Sequence, residues 1–436
     1  MSMISSVQEK LLNSVDEHFL SYYEAWERSR IAFTRSTFSS ERRMAQEAII
    51  SQFQQYGIEP LLFGTDHPLL YGERSQDTFS TLLLYYSYAM GAPPLQQAEL
   101  LAACTAALDI YQHAIGSPPI NIKWLFDSGT EGAIGESELW RLLEEHRELL
   151  RADGCLWWGA GSTDDTPPFL ALGSKGLLCV ELAVQTASTP FPSRYGAILP
   201  NAAWRLTWAL SSLKSPGEEV LIEGFYDTLT PAEDDEIELI SALPDKRPAL
   251  QQDSQHLLMD LQGMQLNYAL LLTPTCTINA MNSGSIAQVQ PFHGAYMYAV
   301  MPFQAKALVD FHLVPGQEPA DIFSKLQRHL QTQGFQDVQT HLIYESLPTR
   351  TPLNDPFVQT VLSAATTTYR PALRLLPLID ANHSLEPFRQ VLGLPVVLTA
   401  TGCSAHEYGQ RDQFVAYVKL ITLLIEELGN YATDRN

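Results

Sequence analysis

The chain has 436 residues, 45% of them hydrophobic and 17% charged, which is enough apolar material for two or three cored domains and excludes disorder as the dominant state. Its 49 acidic and 27 basic residues give a formal charge of −22. That charge argues against sequence-independent nucleic-acid binding and against docking on anionic lipid, because both partners present phosphate.

In chain order, residues 3–35 and 40–56 are rich in helix formers and predict two helices meeting near Ser36–Ser39. PLLY at 68–71 and STLLLYYSY at 80–88 read as buried strands. A helix over 95–114 follows Pro93-Pro94. NIKWLF at 121–126 is a strand, 136–151 an amphipathic helix, and GCLWW at 154–158 another strand. This alternation predicts an α/β domain with a largely parallel sheet. The rhythm then changes: strand 176–185, helix 202–213, strand 308–314 and helix 321–332 describe a smaller α+β insert. The opening rhythm resumes with helix 357–369, strand 395–399 and helix 411–428.

The five cysteines, Cys104, Cys155, Cys179, Cys276 and Cys403, are odd in number and never spaced as CxxC. That usage implies a reducing compartment and no zinc knuckle. The N-terminus gains charge too early for a signal peptide, and no run reaches the ~20 apolar residues of a membrane span. A cytoplasmic location is therefore expected. From Leu261 to Ala305 the chain holds no Asp, Glu, Lys or Arg. Two readings are open for that stretch: a covered part of the insert or subunit interface, or a neutral ligand wall containing Asn279, Asn282 and His293.

Several segments in order, HPLLYGERS, TLLLYYSYAM, INIKWLFDSG, GSKGLLCVELAV, RYGAILPNAAWRL, VLIEGFYDTLTPAEDDE, FHLVPGQEPADI and VLGLPVVLTATG, then SAH before the last helix, resemble the dizinc exopeptidase and amidohydrolase family. That family includes carnosinase-type dipeptidases, aminoacylase and succinyl-diaminopimelate desuccinylase. The resemblance implies a three-layer catalytic-type α/β domain, residues 1–172 and 350–436, with a mostly parallel sheet. A smaller α+β lid and dimerisation domain, residues 173–349, interrupts it. It also implies two zinc ions that polarise an amide carbonyl and supply a hydroxide, with a glutamate as general base.

The positions for that chemistry are altered. Where the family's strand ends in Gly-His-x-Asp, this chain reads Tyr86-Ser87-Tyr88-Ala89. Only Gly91–Leu95 stands where a loop should carry the bridging aspartate. Asp127-Ser128-Gly129-Thr130-Glu131-Gly132 leaves Glu131 for a pair of glutamates. Gly159 follows Trp157-Trp158 where an acidic ligand is expected, with Asp164 and Asp165 downstream. His406 fits the last histidine ligand. In the lid, Phe191 or Pro192 stands at the oxyanion histidine, and His312 at the arginine that grips a substrate carboxylate. Asp380-Ala381-Asn382-His383-Ser384 occupies the substrate loop.

The resemblance therefore implies a member without a zinc cofactor, no metal ligand being assigned. The candidate chemical groups are His406, Glu131, His383 and Ser384, and the candidate substrate contacts are His312, Asn279, Ser87 and Asp380. Each has a plainer alternative: a satisfied structural histidine for His406, a solvated carboxylate for Glu131, a buried hydroxyl for Ser87. Asp164 and Asp165 read first as turn residues, with a displaced metal ligand as the alternative. Cys403 with His406 is a weaker nucleophile pair. The expected partners are a small amino-acid-derived ligand and a second copy through the lid, not nucleic acid or membrane.

Overall fold

In the computed structural model the described residues are 5–34, 41–64, 68–76, 78–87, 96–127, 133–158, 167–254, 257–258, 260–284, 291–292, 295–296, 300–382, 385–400 and 407–435. The chain opens with helices α1 (Ser6–Thr34) and α2 (Glu41–Gln55) and strands β1 (Leu61–Phe63), β2 (Leu69–Arg74) and β3 (Ser80–Ser87). Then come α3 (Gln96–Ala114), β4 (Ile120–Asp127), α4 (Ala133–Glu145), β5 (Gly154–Trp158) and β6 (Phe169–Ala171). The middle segment runs β7 (Gly173–Gln185), β8 (Phe191–Pro192), α5 (Ala202–Leu213), α6 (Asp234–Ala242), α7 (Arg247–Asp253), α8 (Gly263–Leu272) and β9 (Thr275–Ser283). It continues through β10 (Pro291–Phe292), β11 (Ala295–Tyr296), β12 (Val300–Met301), β13 (Gln304–Leu313), α9 (Pro319–Thr332), β14 (Gln339–Ser346) and β15 (Thr349–Arg350). The last segment holds α10 (Pro356–Tyr369), β16 (Arg374–Leu376), β17 (Ile379–Asn382), α11 (Glu386–Gln390), β18 (Val396–Ala400) and α12 (Glu407–Arg435).

Two compact units result: Met1–Gly173 with Arg350–Leu378 and Leu385–Asn436, and Ser174–Thr349 with Ile379–Ser384. The first contains an eight-stranded sheet in the order β1-β2-β4-β3-β5-β18-β6-β16. Its centre, β4-β3-β5-β18, is parallel, while β1, β2 and β6 bring antiparallel pairings. Near-continuous apolar runs such as TLLLYY are what a strand buried on both faces requires. Leu82, Leu84, Tyr86, Trp124 and Phe126 join a core with residues of α1, α2, α3, α10 and α12. Tyr85, one residue out of step, turns the other way and packs edge-on against Phe388 of α11 at 4.6 Å. Helices on both faces give the three-layer α/β arrangement. Each fully buried Leu or Phe contributes roughly 1.5–3 kcal/mol.

Glycine decides one close contact. A Cβ on Gly154 would lie 2.4 Å from the ring of Phe357, so the start of β5 meets α10 only because the side chain is a hydrogen. That helix is begun by Asp355, whose carboxylate accepts the Phe357 amide at 2.8 Å, with Pro356 in the first turn.

The second unit is built on antiparallel pairings of β14, β7, β13 and β9. Alternation sets its two faces. Ala305, Ala307, Val309, Phe311 and Leu313 of β13 and Leu178, Val180, Leu182 and Val184 of β7 share a core with α5 and α9. Ile322, Leu326 and Leu330, spaced by four, are the buried stripe of α9. Asn201 caps α5 by accepting the Ala203 amide at 2.8 Å.

Several boundaries differ from the sequence expectation. The helix expected at 136–151 spans Ala133–Glu145, and its tail becomes turns. Helix propensity continues there, but the chain must reverse before β5. The strand expected at 308–314 is Gln304–Leu313. Within the uncharged stretch, α8 and β9 form, and Thr277–Ser283 are exposed within the chain. Covering by the rest of the insert therefore does not apply to β9.

Candidate functional site

Parallel strands place ligands beyond their carboxyl ends, where side chains from adjacent strands converge. In the first unit those ends carry Tyr85 and Tyr86 of β3, Asp127 of β4 and Trp157 and Trp158 of β5. Asp127 is fully buried. The Tyr85 hydroxyl donates to its Oδ2 at 2.6 Å, and the Tyr85 ring lies edge-on to Trp157 at 5.0 Å. On the opposite face Tyr86 stacks on Phe126 at 4.7 Å. Its hydroxyl is hydrogen-bonded to that of Tyr417 on α12, and Trp158 stands edge-on to Tyr417 at 4.2 Å. Burial pushes both phenols well above their ordinary range, so neither exchanges protons near neutrality. The strand ends form a dry aromatic floor with one carboxylate set into it.

A zinc pair needs clustered His, Cys or carboxylate donors. Among the described residues no group of three or more such side chains could hold a metal ion, and the rings at the ends of β3 and β5 are engaged in packing. The described residues at these strand ends do not by themselves supply the donors of a zinc pair; Glu131, Asp164, Asp165 and His406 lie outside them.

In the second unit the sheet face away from α5 and α9 is polar. Strand register places Thr277, Asp310, Cys179 and Tyr344 in one row across β9, β13, β7 and β14. Thr275, His312, Leu177 and Ser346 form the next row. Two irregularities flank the Asp310 row. Between Ile278 and Ala280 the register shifts so that Asn279 is the extra residue of β9. Between Leu342 and Tyr344 the extra residue of β14 is Ile343. Bulges re-aim side chains, and Asn279 donates through Nδ2 to Asp310 Oδ2. The other oxygen, Oδ1, is shielded from water and has no hydrogen-bond partner. Burial, then the neighbouring Asp310 carboxylate, push the Cys179 thiol up to about 12, so it is not a thiolate nucleophile. Lys306 and Glu181, further along the same face, pair at 2.8 Å.

Of the sequence candidates, the structure brings Asn279 and His312 onto this one face. Ser87 ends β3 with its backbone in register with Asp127, and Asp380 lies in β17, which pairs with β7. The side chains of Ser87 and Asp380 lie outside the described residues. So do Glu131, His383, Ser384, His406, Asp164, Asp165 and Cys403. Asp310 and Cys179 belong to no motif. Only the pairing of β7, β13 and β9 shows them to be neighbours, although the alternation of β13 already turns Asp310 and His312 to one side.

Comparison of the fold with solved structures is decisive for architecture. A metallo-carboxypeptidase of the M20 family from Sulfolobus solfataricus superposes with a TM-score of 0.75 at 24% identity, covering 89% of this chain and 94% of that one. The chain has the fold of the M20 metallopeptidases. Human carnosine dipeptidase 1 gives 0.71 at 16% identity over 98% of this chain and 100% of its own. A di-peptidase from Saccharomyces cerevisiae gives 0.70 at 14% identity over 98% and 99%. No family model and no curated protein matches the sequence.

Proposed function

We propose that this chain is a divergent relative of the M20 metallopeptidases that has lost dizinc peptide hydrolysis while keeping the two-domain architecture. In this reading it binds or transforms a small amino-acid-derived, amide-type molecule without zinc, inside the cell. The observation that carries it is the end of β3. Tyr86-Ser87-Tyr88-Ala89 stands where the related enzymes' histidine and aspartate would be, and the Tyr86 ring is built into the core. A hydroxyl in place of an imidazole removes a zinc donor of ordinary affinity.

The groups that would act on the ligand are His406 as acid or base, with Glu131, His383 and Ser384. His312, Asn279, Ser87 and Asp380 would contact it. Metal analysis of the purified protein with an amidase assay tests this. The expected result is less than a tenth of an equivalent of zinc or manganese and no chelator-sensitive hydrolysis. Near-stoichiometric metal, lost together with amidase activity on chelation, would instead support a hydrolase with relocated ligands such as Asp164, Asp165 and His383.

A specific feature also favours a dimer through the second unit, the alternative being that this assembly is a non-catalytic scaffold. The nine-residue strand β9 lies at the sheet edge, carries no charged residue and exposes Ile278 and Met281. Neighbouring α5 exposes Trp204 and Trp208, at 58% and 55%. Uncharged, unpaired edge strands are templates for further pairing, and exposed aromatics are common interface anchors.

A further inference from the structure

The end of α9 builds a cavity through its own geometry. Gly334, at φ +80°, lets the chain reverse, a backbone conformation that glycine adopts without steric cost. The Phe335 amide then donates to the Leu330 carbonyl at 2.7 Å and the Gly334 amide to that of Gln331 at 3.1 Å. This pair of bonds seats the residue after the glycine against the last turn of the helix. The Phe335 ring packs on the core of the second unit and is covered by the Arg205 guanidinium at 4.6 Å. Between the last turns of α9, this reversal and the start of β14 lies a cavity of about 470 Å³, a size that small-molecule sites commonly have.

The lining selects a ligand chemistry. Leu330 and Val338, both buried, supply apolar surface together with Phe335. Four glutamines, Gln327, Gln331, Gln336 and Gln339, also line the cavity. No Asp, Glu, Lys or Arg is among the described residues that do so, in a chain with a formal charge of −22. The nearby charges of Arg205 and Asp337 answer each other, with Arg205 Nε at 3.0 and 2.9 Å from the two carboxylate oxygens. Two of the glutamines are held in place: Gln327 Nε2 donates to Thr340 Oγ1 and Gln336 Nε2 to the Gln331 carbonyl, both at 3.0 Å. The side-chain amides of Gln331 and Gln339 enter no hydrogen bond among the described residues. A charged ligand would find no counter-charge here, and a wholly apolar one would strip water from the amides without replacing its hydrogen bonds. A neutral ligand rich in hydroxyls suits the lining, because an amide side chain offers an acceptor and two donors, and a hydroxyl both gives and accepts. We propose that this cavity binds a neutral sugar ring, its hydroxyls meeting the glutamine amides and its C–H groups the apolar surface of Leu330 and Phe335. The site shares no residue with those assigned above to the amide-type ligand.

Saturation-transfer NMR on the full-length protein tests this with glucose, galactose and mannose as probes, and with glucuronate and cyclohexanol as comparisons. Glucuronate keeps the sugar ring and adds a carboxylate, whereas cyclohexanol keeps a six-membered ring and loses all but one hydroxyl. At least one of the three hexoses should receive saturation from the protein, and neither comparison compound should do so at equal concentration. Gln331→Ala combined with Gln339→Ala, both at exposed positions, should weaken the hexose about tenfold, as loss of two neutral hydrogen bonds does. Circular dichroism establishes that the double variant is folded; if it is not, Gln339→Ala alone decides, with a loss of about threefold expected. Absence of a signal from all three hexoses overturns the inference. So does a glucuronate or cyclohexanol signal as strong as that of the hexose, or unchanged hexose affinity in the folded variant. Each of these results leaves the proposed amide-type ligand standing, because metal content and amidase activity are read separately.

Discussion

Glu99 offers a quantitative test of the helical layer in the first unit. It lies in the first turn of α3, close to Glu27 and Arg30 of α1 and Tyr23 one turn before them. Arg30 grips Glu27 through Nε and Nη2, at 2.8 and 2.7 Å. Burial, reinforced by the charge of Glu27 and only partly offset by Arg30, raises the Glu99 carboxyl from 4.5 to about 7. The folded state therefore holds the proton more tightly than the unfolded chain does. The resulting stabilisation is complete below about pH 4.5, declines as pH rises toward 7, and is gone above it. At about 1.4 kcal/mol per pH unit, the interval corresponds to about 3 kcal/mol. Glu99→Gln keeps the shape and removes the titration. Native-state hydrogen exchange of α1 and α3 amides between pH 5 and 8, corrected for intrinsic rates, reads the local opening free energy. Wild type should lose about 2–3 kcal/mol of protection across that range, whereas Glu99→Gln should stay flat and exceed wild type at pH 8. Parallel slopes in the two proteins would refute the assignment of Glu99 as the titrating group.

Other expectations follow from contacts already described. Gly154→Ala should destabilise the first unit by about 1–3 kcal/mol through overlap with Phe357, and adding Phe357→Leu should restore part of the loss in urea denaturation. Tyr85→Phe withdraws one donor from buried Asp127 and should cost about 1–3 kcal/mol, whereas the same change at exposed Tyr195 should be silent in thermal melts. If the proposed dimer forms through α5, replacing Trp204 and Trp208 together by Ser should convert it to monomer in analytical ultracentrifugation without loss of helix signal. An unaltered sedimentation profile would remove α5 from the proposed interface.

Much of the fold is written in local pattern. TLLLYY, NIKWLF and GCLWW are short, largely apolar runs of strand length, and they became β3, β4 and β5, with Asn121 and Lys123 of β4 only half-buried. The apolar stripe of α9 is equally plain. The strand β9 was not legible, because TCTINAMNS lacks the strict alternation that marks a half-buried strand, and its bulge at Asn279 breaks what alternation there is. The candidate site was legible only in part, for the same reason. Asn279 and His312 could be singled out by position, but Asp310 acquires its meaning from partners 31 residues away on β9 and far upstream on β7. Register between strands distant in sequence is set by the packed sheet as a whole.

The two units show how an acidic chain distributes its carboxylates. Among the described residues at the carboxyl ends of the parallel strands, aromatic side chains predominate, and the buried acid Asp127 is already engaged by Tyr85. Charge in such a setting needs dedicated donors, and the rings provide few. On the open face of the second unit the balance reverses: Asp310 has one committed oxygen and one without a partner. Among the described residues, the polar side chains of β9 and β13 line an open sheet face, while Tyr86 and Trp158 serve the core. A chain that retained this fold while changing its ligand would be expected to keep the aromatic floor and vary the sheet face. Asn279→Ala, which takes the amide from Asp310, should cost about 1–3 kcal/mol, whereas Tyr86→Ala should cost about 3–5 kcal/mol, as large aromatic truncations in a packed core do. Equal stability losses at Asn279 and Tyr86 in urea denaturation would contradict this division of roles.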